Sequence, residues 1–128
     1  MKRRIAHLYP VCGGLACLFA IATLTSADPP SADDGRNIFV KRCSGCHALD
    51  INKEGPRLGG VFGRRAGTVP DFGYSDALRK SGIVWDERRL MKWLENPQAV
   101  VPGSDMEFRV ADANERLALV RYLESLAK

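Results

Sequence analysis

The chain has 128 residues, with 19 Lys+Arg against 15 Asp+Glu and four cysteines. Lys2, Arg3, Arg4, Cys12 and Cys17 all fall in the first 27 positions, where no acidic residue occurs, so residues 28–128 carry 16 − 15 = +1 and only Cys43 and Cys46. The basicity of the whole chain therefore misleads, and a disulfide scaffold is excluded, because joining Cys43 to Cys46 would staple only a short local loop.

Residues 1–27 read as a cleavable signal peptide. Lys2-Arg3-Arg4 forms a positive n-region, residues 11–24 are apolar, and Thr25-Ser26-Ala27 presents small residues to a signal peptidase. Residues 5–24 are also long enough to be counted as a membrane anchor; His7, Pro10 and Gly13-Gly14 interrupt that span and favour cleavage after Ala27. Export places residues 28–128 in the periplasm as one domain without internal repeats.

Ser31 and Asp33 or Asp34 can cap a first helix that runs toward Cys43 with Ile38 and Phe39 on its buried side. That helix delivers Cys43-Ser44-Gly45-Cys46-His47, whose spacing suits covalent attachment of haem c. Two thiols three positions apart can reach the two vinyl groups on one porphyrin edge, and the adjacent imidazole can ligate the iron. A domain this small buries only about 60–70% of its unfolded surface, so such a cofactor would be a major part of its core.

Residues 75–81 predict a short helix stopped by Gly82. Asp86 caps a third helix, with Trp85 and Leu90 spaced for a hydrophobic staple and Leu90, Met91, Trp93 and Leu94 as its apolar positions; Asn96-Pro97 ends it. Asp112-Ala113-Asn114-Glu115 resembles a capping box and opens a last helix that projects Leu119, Tyr122, Leu123 and Leu126. Gly/Pro-rich connections at 55–67 and 101–106 fill the space between. Strand signals do not recur, so the expected fold is all-α, three to four helices and long loops around one haem.

Beyond residue 27 the only Met and His residues are His47, Met91 and Met106. Met91 sits within an apolar helical pattern, where Met ordinarily fills space, whereas Met106 lies in a Pro102-Gly103-Ser104-Asp105 loop that gives it no packing role. The expected iron ligands are therefore His47 and Met106. Such a pair raises the potential and leaves no open coordination position, which suits a carrier and argues against an enzyme. A thiol oxidoreductase would need its Cys-x-x-Cys in a βαβ pattern, a zinc module would need a better fourth ligand than Met106, and a peroxidase would need an open iron or a second haem motif.

In this order, Cys43-x-x-Cys46-His47, Gly55-Pro56-Arg57-Leu58, Val61-Phe62-Gly63-Arg64, Tyr74-Ser75-Asp76-Ala77, Trp85, Leu90-Met91-x-x-Leu94-Glu95-Asn96-Pro97 and Pro102-Gly103-Ser104-x-Met106-x-Phe108 resemble the class I c-type cytochromes, the mitochondrial carrier and its short bacterial relatives. The resemblance implies that the Pro56 carbonyl accepts from the free imidazole N–H of His47, that Arg64, Tyr74 and Trp85 lie near the haem propionates, and that Ser104 stands beside the methionine loop. It also implies that Gly35 and Phe39 meet Leu119 and Tyr122 where the terminal helices cross. Trp85 also reads as a core aromatic, and Arg64 as a solvated charge. Trp93 replaces a usual Tyr bonded to the Met sulfur, Leu78 replaces a usual polar residue and should dry the pocket, and the 47–55 loop is short.

The function so implied is a soluble, monomeric periplasmic one-electron carrier between redox proteins such as an oxidase, reductase or dehydrogenase. It engages no nucleic acid, and no stable membrane insertion is expected after cleavage. The alternative is a dedicated electron-delivery subunit of one dehydrogenase, or a cytochrome anchored by an uncleaved N-terminal helix. Around the methionine loop Gln98, Ala99, Asp105 and Glu107 replace a ring of lysines, so docking is expected to rest less on charge steering and more on Phe108, Val100 and Val101. Arg42, Arg57, Arg64, Arg65 and Arg109 remain as a local basic face.

Overall fold

The computed structural model describes residues 29–127, so the predicted signal peptide lies outside the described residues. Helix α1 (Ala32–Arg42) starts where the sequence supplies both halves of a cap. The Ser31 hydroxyl accepts from the Asp34 N–H at 3.1 Å, and the Asp34 carboxylate accepts from the Ser31 N–H at 3.0 Å. Asp33 and Asp34 in its first turn and Lys41 and Arg42 in its last suit the helix dipole.

Helix α2 (Asp76–Lys80) is capped by Ser75, and Gly82 just beyond it adopts φ 70°, a left-handed conformation that lets the chain turn away. Helix α3 (Glu87–Glu95) is capped by Asp86, whose carboxylate accepts from the Arg89 N–H at 2.7 Å. Asn96-Pro97 ends α3 as predicted, and the chain then resumes at once in a one-turn helix α4 (Pro97–Val100) that the sequence pattern does not announce. The same Pro97 explains both events, since its ring is excluded from a helix interior but pre-set for a first turn.

Helix α5 (Ala113–Ser125) has half of the predicted capping box. Asp112 accepts from the N–H groups of Asn114 and Glu115 at 2.8 and 2.9 Å. The Glu115 carboxylate turns instead to Arg42 of α1, 2.8 Å away. Helix α5 buries Arg116, Ala118 and Val120 besides the predicted Leu119, Tyr122 and Leu123. It therefore crosses the interior rather than covering it with one stripe.

Gly35 lets α1 and α5 approach closely. A Cβ there would lie 2.0 Å from the Ala118 carbonyl oxygen and 2.7 Å from Tyr122 Cβ. One turn further on, the rings of Phe39 and Tyr122 meet at 5.8 Å. Among the described residues strand pairing is confined to one isolated bridge, Arg65 to Val84. Around it Ala66 N–H donates to Ile83 O and Trp85 N–H to Arg64 O, which clips the 59–73 loop onto the approach to α3. No helix among the described residues is long and apolar enough to cross a membrane.

Candidate functional site

The packed helices and loops surround a cavity of about 310 Å³. Phe39 of α1, Leu58 and Val61 of the following loop, Leu78 of α2, Leu90 and Leu94 of α3, and Leu119 and Leu123 of α5 give it a mainly apolar wall. A site of this kind takes a large apolar ligand fixed by a few polar groups.

At the end of α1 the chain turns sharply, with the N–H groups of Cys46 and His47 both donating to the Cys43 carbonyl at 3.1 and 2.8 Å. That turn brings Cys43, Cys46 and His47 to the cavity together. Both thiols are free; Cys43 is half-buried and its pKa is pushed up to about 11, chiefly by burial. His47 is also half-buried, and loss of solvent lowers its pKa, so the neutral imidazole is favoured.

His47 Nδ1 lies 2.8 Å from the Pro56 carbonyl oxygen. A carbonyl only accepts, so Nδ1 carries the proton and Nε2 keeps a lone pair for a metal. Gly55 makes this contact possible: a Cβ there would fall 2.2 Å from His47 Cε1.

Met106 lines the same cavity, and the Trp93 indole N–H donates to its sulfur at 3.1 Å. Met91 does not line it; it is partly buried against the core. Trp85 belongs to both core and cavity wall, and its ring meets that of Trp93 edge-on at 5.2 Å. Arg64 and Tyr74 line the cavity too. The Arg64 guanidinium is not a freely solvated charge: it is half-buried and donates to the carbonyls of Gly59 and Arg57 at 3.0 and 2.9 Å. Burial lowers its pKa and raises that of Tyr74.

Ser104 is buried, but it stands behind the methionine loop rather than in the cavity wall; its hydroxyl faces the Gln98 amide at 3.1 Å. Gln98 is a residue the sequence reading missed. In the linear chain it reads as one of the residues replacing a ring of lysines, yet its amide also contacts Gly103 and Met106. Arg116 was missed as well: it is buried and donates to the carbonyls of Val110 and Ala111 at 2.7 and 2.8 Å, pinning the chain beyond the methionine loop to α5. Its three-residue offset from Ala113 fits the helix pattern but carried no hint of burial.

Of the three residues proposed for apolar docking, Phe108 is exposed and Val100 partly so, but Val101 is only 5% exposed and belongs to the core. The basic face is also thinner than expected, since Arg42 is paired with Glu115.

This donor set fits a covalently held haem. Two free thiols on one turn, an imidazole with an available nitrogen and a thioether share one apolar cavity edged by a guanidinium and a phenol. Among the described residues no three His, Cys, Asp or Glu side chains gather as a metal site of their own.

The protein-family model "Cytochrome c" matches residues 32–127. The chain is similar to "Cytochrome c" of Euglena viridis, 41% identical over 98 residues that cover 74% of this chain and 96% of that protein. It is also similar to "Cytochrome c type-1" of Ascaris suum, 39% identical over 99 residues, 75% and 88% of the two chains. Among solved structures, cytochrome cH from Methylobacterium extorquens superposes with a TM-score of 0.70 at 36% identity, covering 74% of this chain and 98% of that one.

Proposed function

Because the chain belongs to the cytochrome c family, as a class I c-type cytochrome that binds covalent haem c with its iron, we propose that it is a periplasmic carrier of single electrons between redox proteins. When bound, the haem iron takes up and returns one electron. The observation that carries the proposal is the convergence of Cys43, Cys46, His47 and Met106 on one mainly apolar cavity.

Cys43 and Cys46 would form the two thioether links to the haem, and His47 and Met106 would give their nitrogen and sulfur to its iron. The Pro56 carbonyl, accepting from Nδ1, fixes the imidazole's orientation and makes its free nitrogen a better donor. The Trp93 N–H draws electron density from the Met106 sulfur, which favours the reduced state. Arg64, Tyr74 and Trp85 line the cavity where they would meet the acidic groups of the haem, and the guanidinium would offset negative charge there. With His47 and Met106 both given to the iron, the haem would exchange electrons rather than bind and transform a substrate.

Export with cleavage after Ala27 gives residues 28–128 their location, a reading supported by the likeness to a bacterial cytochrome cH. Partners dock as monomer to partner over a surface that includes exposed Phe108. The carboxylates of Asp105 and Glu107 near Met106 weaken attraction toward acidic docking sites.

The test is to express the full chain in a bacterium that matures c-type cytochromes and to follow both product and kinetics. Periplasmic protein beginning at Asp28, a one-electron reductive titration, and second-order rates with oxidase-bearing membranes that fall only shallowly with salt are expected. Membrane-retained protein with residues 1–27 intact, or a steep salt dependence, would refute the soluble, weakly steered carrier.

A further inference from the structure

We propose that Gln98 is a positioning residue for Met106, clamping the loop that presents the thioether; the inference rests on reading Met106 as the axial ligand. Among the described residues, no backbone–backbone hydrogen bond touches residues 105–109: the ladder stops at Ser104 N–H to Val101 O and resumes at Val110 N–H to Leu94 O. A loop so free of its own hydrogen bonds needs side chains to define where its sulfur sits.

Gln98 meets that need from a fixed base. It lies in α4, whose Pro97 is fully buried and whose Pro97 carbonyl accepts from the N–H of buried Val101. Its Nε2 donates to the carbonyls of Ser104 and Met106, at 2.7 and 3.2 Å, and lies 3.1 Å from the Ser104 hydroxyl. Its Oε1 accepts from the Gly103 N–H at 3.1 Å. One amide thus holds three loop residues, using donor and acceptor at once. A carboxylate only accepts and an ammonium only donates, so neither replaces it.

Trp93 and Gln98 divide the task. Trp93 touches the sulfur itself, whereas Gln98 holds the backbone that carries it. A loop opening that carried the thioether off the iron would pull Gly103, Ser104 and Met106 away from Gln98. Each hydrogen bond made only in the closed loop opposes that opening.

The experiment compares Gln98→Ala, Gln98→Glu and Met106→Ala as oxidised holoproteins. The readouts are the weak long-wavelength sulfur-to-iron band, the affinity for cyanide, and hydrogen exchange at the Gly103 amide. Gln98→Ala should weaken the band, speed Gly103 exchange and bind cyanide roughly ten-fold more tightly, equivalent to about 1.4 kcal/mol of lost closure. Gln98→Glu, which keeps the size but not the donor, should show the same gain in cyanide affinity. Wild-type behaviour of Gln98→Glu would reduce Gln98 to a space filler and overturn the proposal. So would an unchanged band and cyanide affinity in Gln98→Ala while Met106→Ala loses the band. Retention of the band in Met106→Ala would instead overturn the ligand reading on which the clamp depends.

Discussion

Gly35→Ala should destabilise the protein strongly, although alanine is the better helix former. The new Cβ would lie 2.0 Å from the Ala118 carbonyl oxygen and 2.6 Å from its carbon. Restoring even 3.0 Å to the oxygen requires α1 and α5 to part by about 1.0 Å. The obstruction is backbone, which cannot swing aside, so the usual overpacking cost of about 1–3 kcal/mol applies at its upper end. Loosening the Phe39–Tyr122 contact adds about 0.5–1.5 kcal/mol, and better helix propensity returns about 0.5–1 kcal/mol. The net loss is about 2–4 kcal/mol. With a urea slope of about 2 kcal/mol/M, the middle of the range for a small domain, the midpoint should fall by about 1–2 M. Urea unfolding of the haem-loaded protein, followed by far-ultraviolet circular dichroism, measures this directly. Gly73→Ala is the control, since a Cβ there meets nothing within 4 Å and its φ is not left-handed; it should be neutral or slightly stabilising. A Gly35→Ala midpoint equal to or above wild type would refute the close approach of the two helices.

Gly55→Ala should displace the imidazole, because its Cβ would lie 2.2 to 2.7 Å from three His47 ring atoms; a holoprotein with unchanged visible spectrum and haem yield would count against that reading. Met106→Ala should abolish the long-wavelength band and open the iron to carbon monoxide, while Met91→Leu, a volume-conserving swap costing under about 1.5 kcal/mol, should leave the band intact. The reverse pattern would exchange the ligand assignments. Asp86 has its carboxyl pKa lowered first by the Arg89 backbone N–H, so its contribution to stability is complete above the usual carboxylate range and fades as pH falls through that range to the depressed value. Denaturation midpoints of wild type and Asp86→Ala should accordingly differ at neutral pH and converge in acid; a constant gap would contradict the cap.

Much of the local order follows from residues within a few positions of one another. Ser31 with Asp34, Asp86 with Arg89, and Pro97 after Asn96 set helix starts and stops through contacts the chain makes with itself nearby. Cys43, Cys46 and His47 are likewise local, since a single turn brings them together. These features were legible because their physics acts over one helical turn.

Other features depended on partners that sequence spacing does not reveal. Glu115 has the right offset to close a capping box on Asp112, but α1 places Arg42 against it, and the charge pairing prevails. Val101 lies in a loop that reads as docking surface, yet the loop folds inward and buries it. Gln98 and Arg116 look like solvated polar residues in a linear chain. Only the folded loops bring unpaired backbone carbonyls within their reach, and a buried carbonyl without a donor is costly. Residue type and spacing suffice for the haem-binding motif, the capped starts of α1, α3 and α5, and the candidate ligands. Tertiary structure decided which polar side chains hold the methionine loop, because that depends on which carbonyls long-range packing leaves in need of a donor.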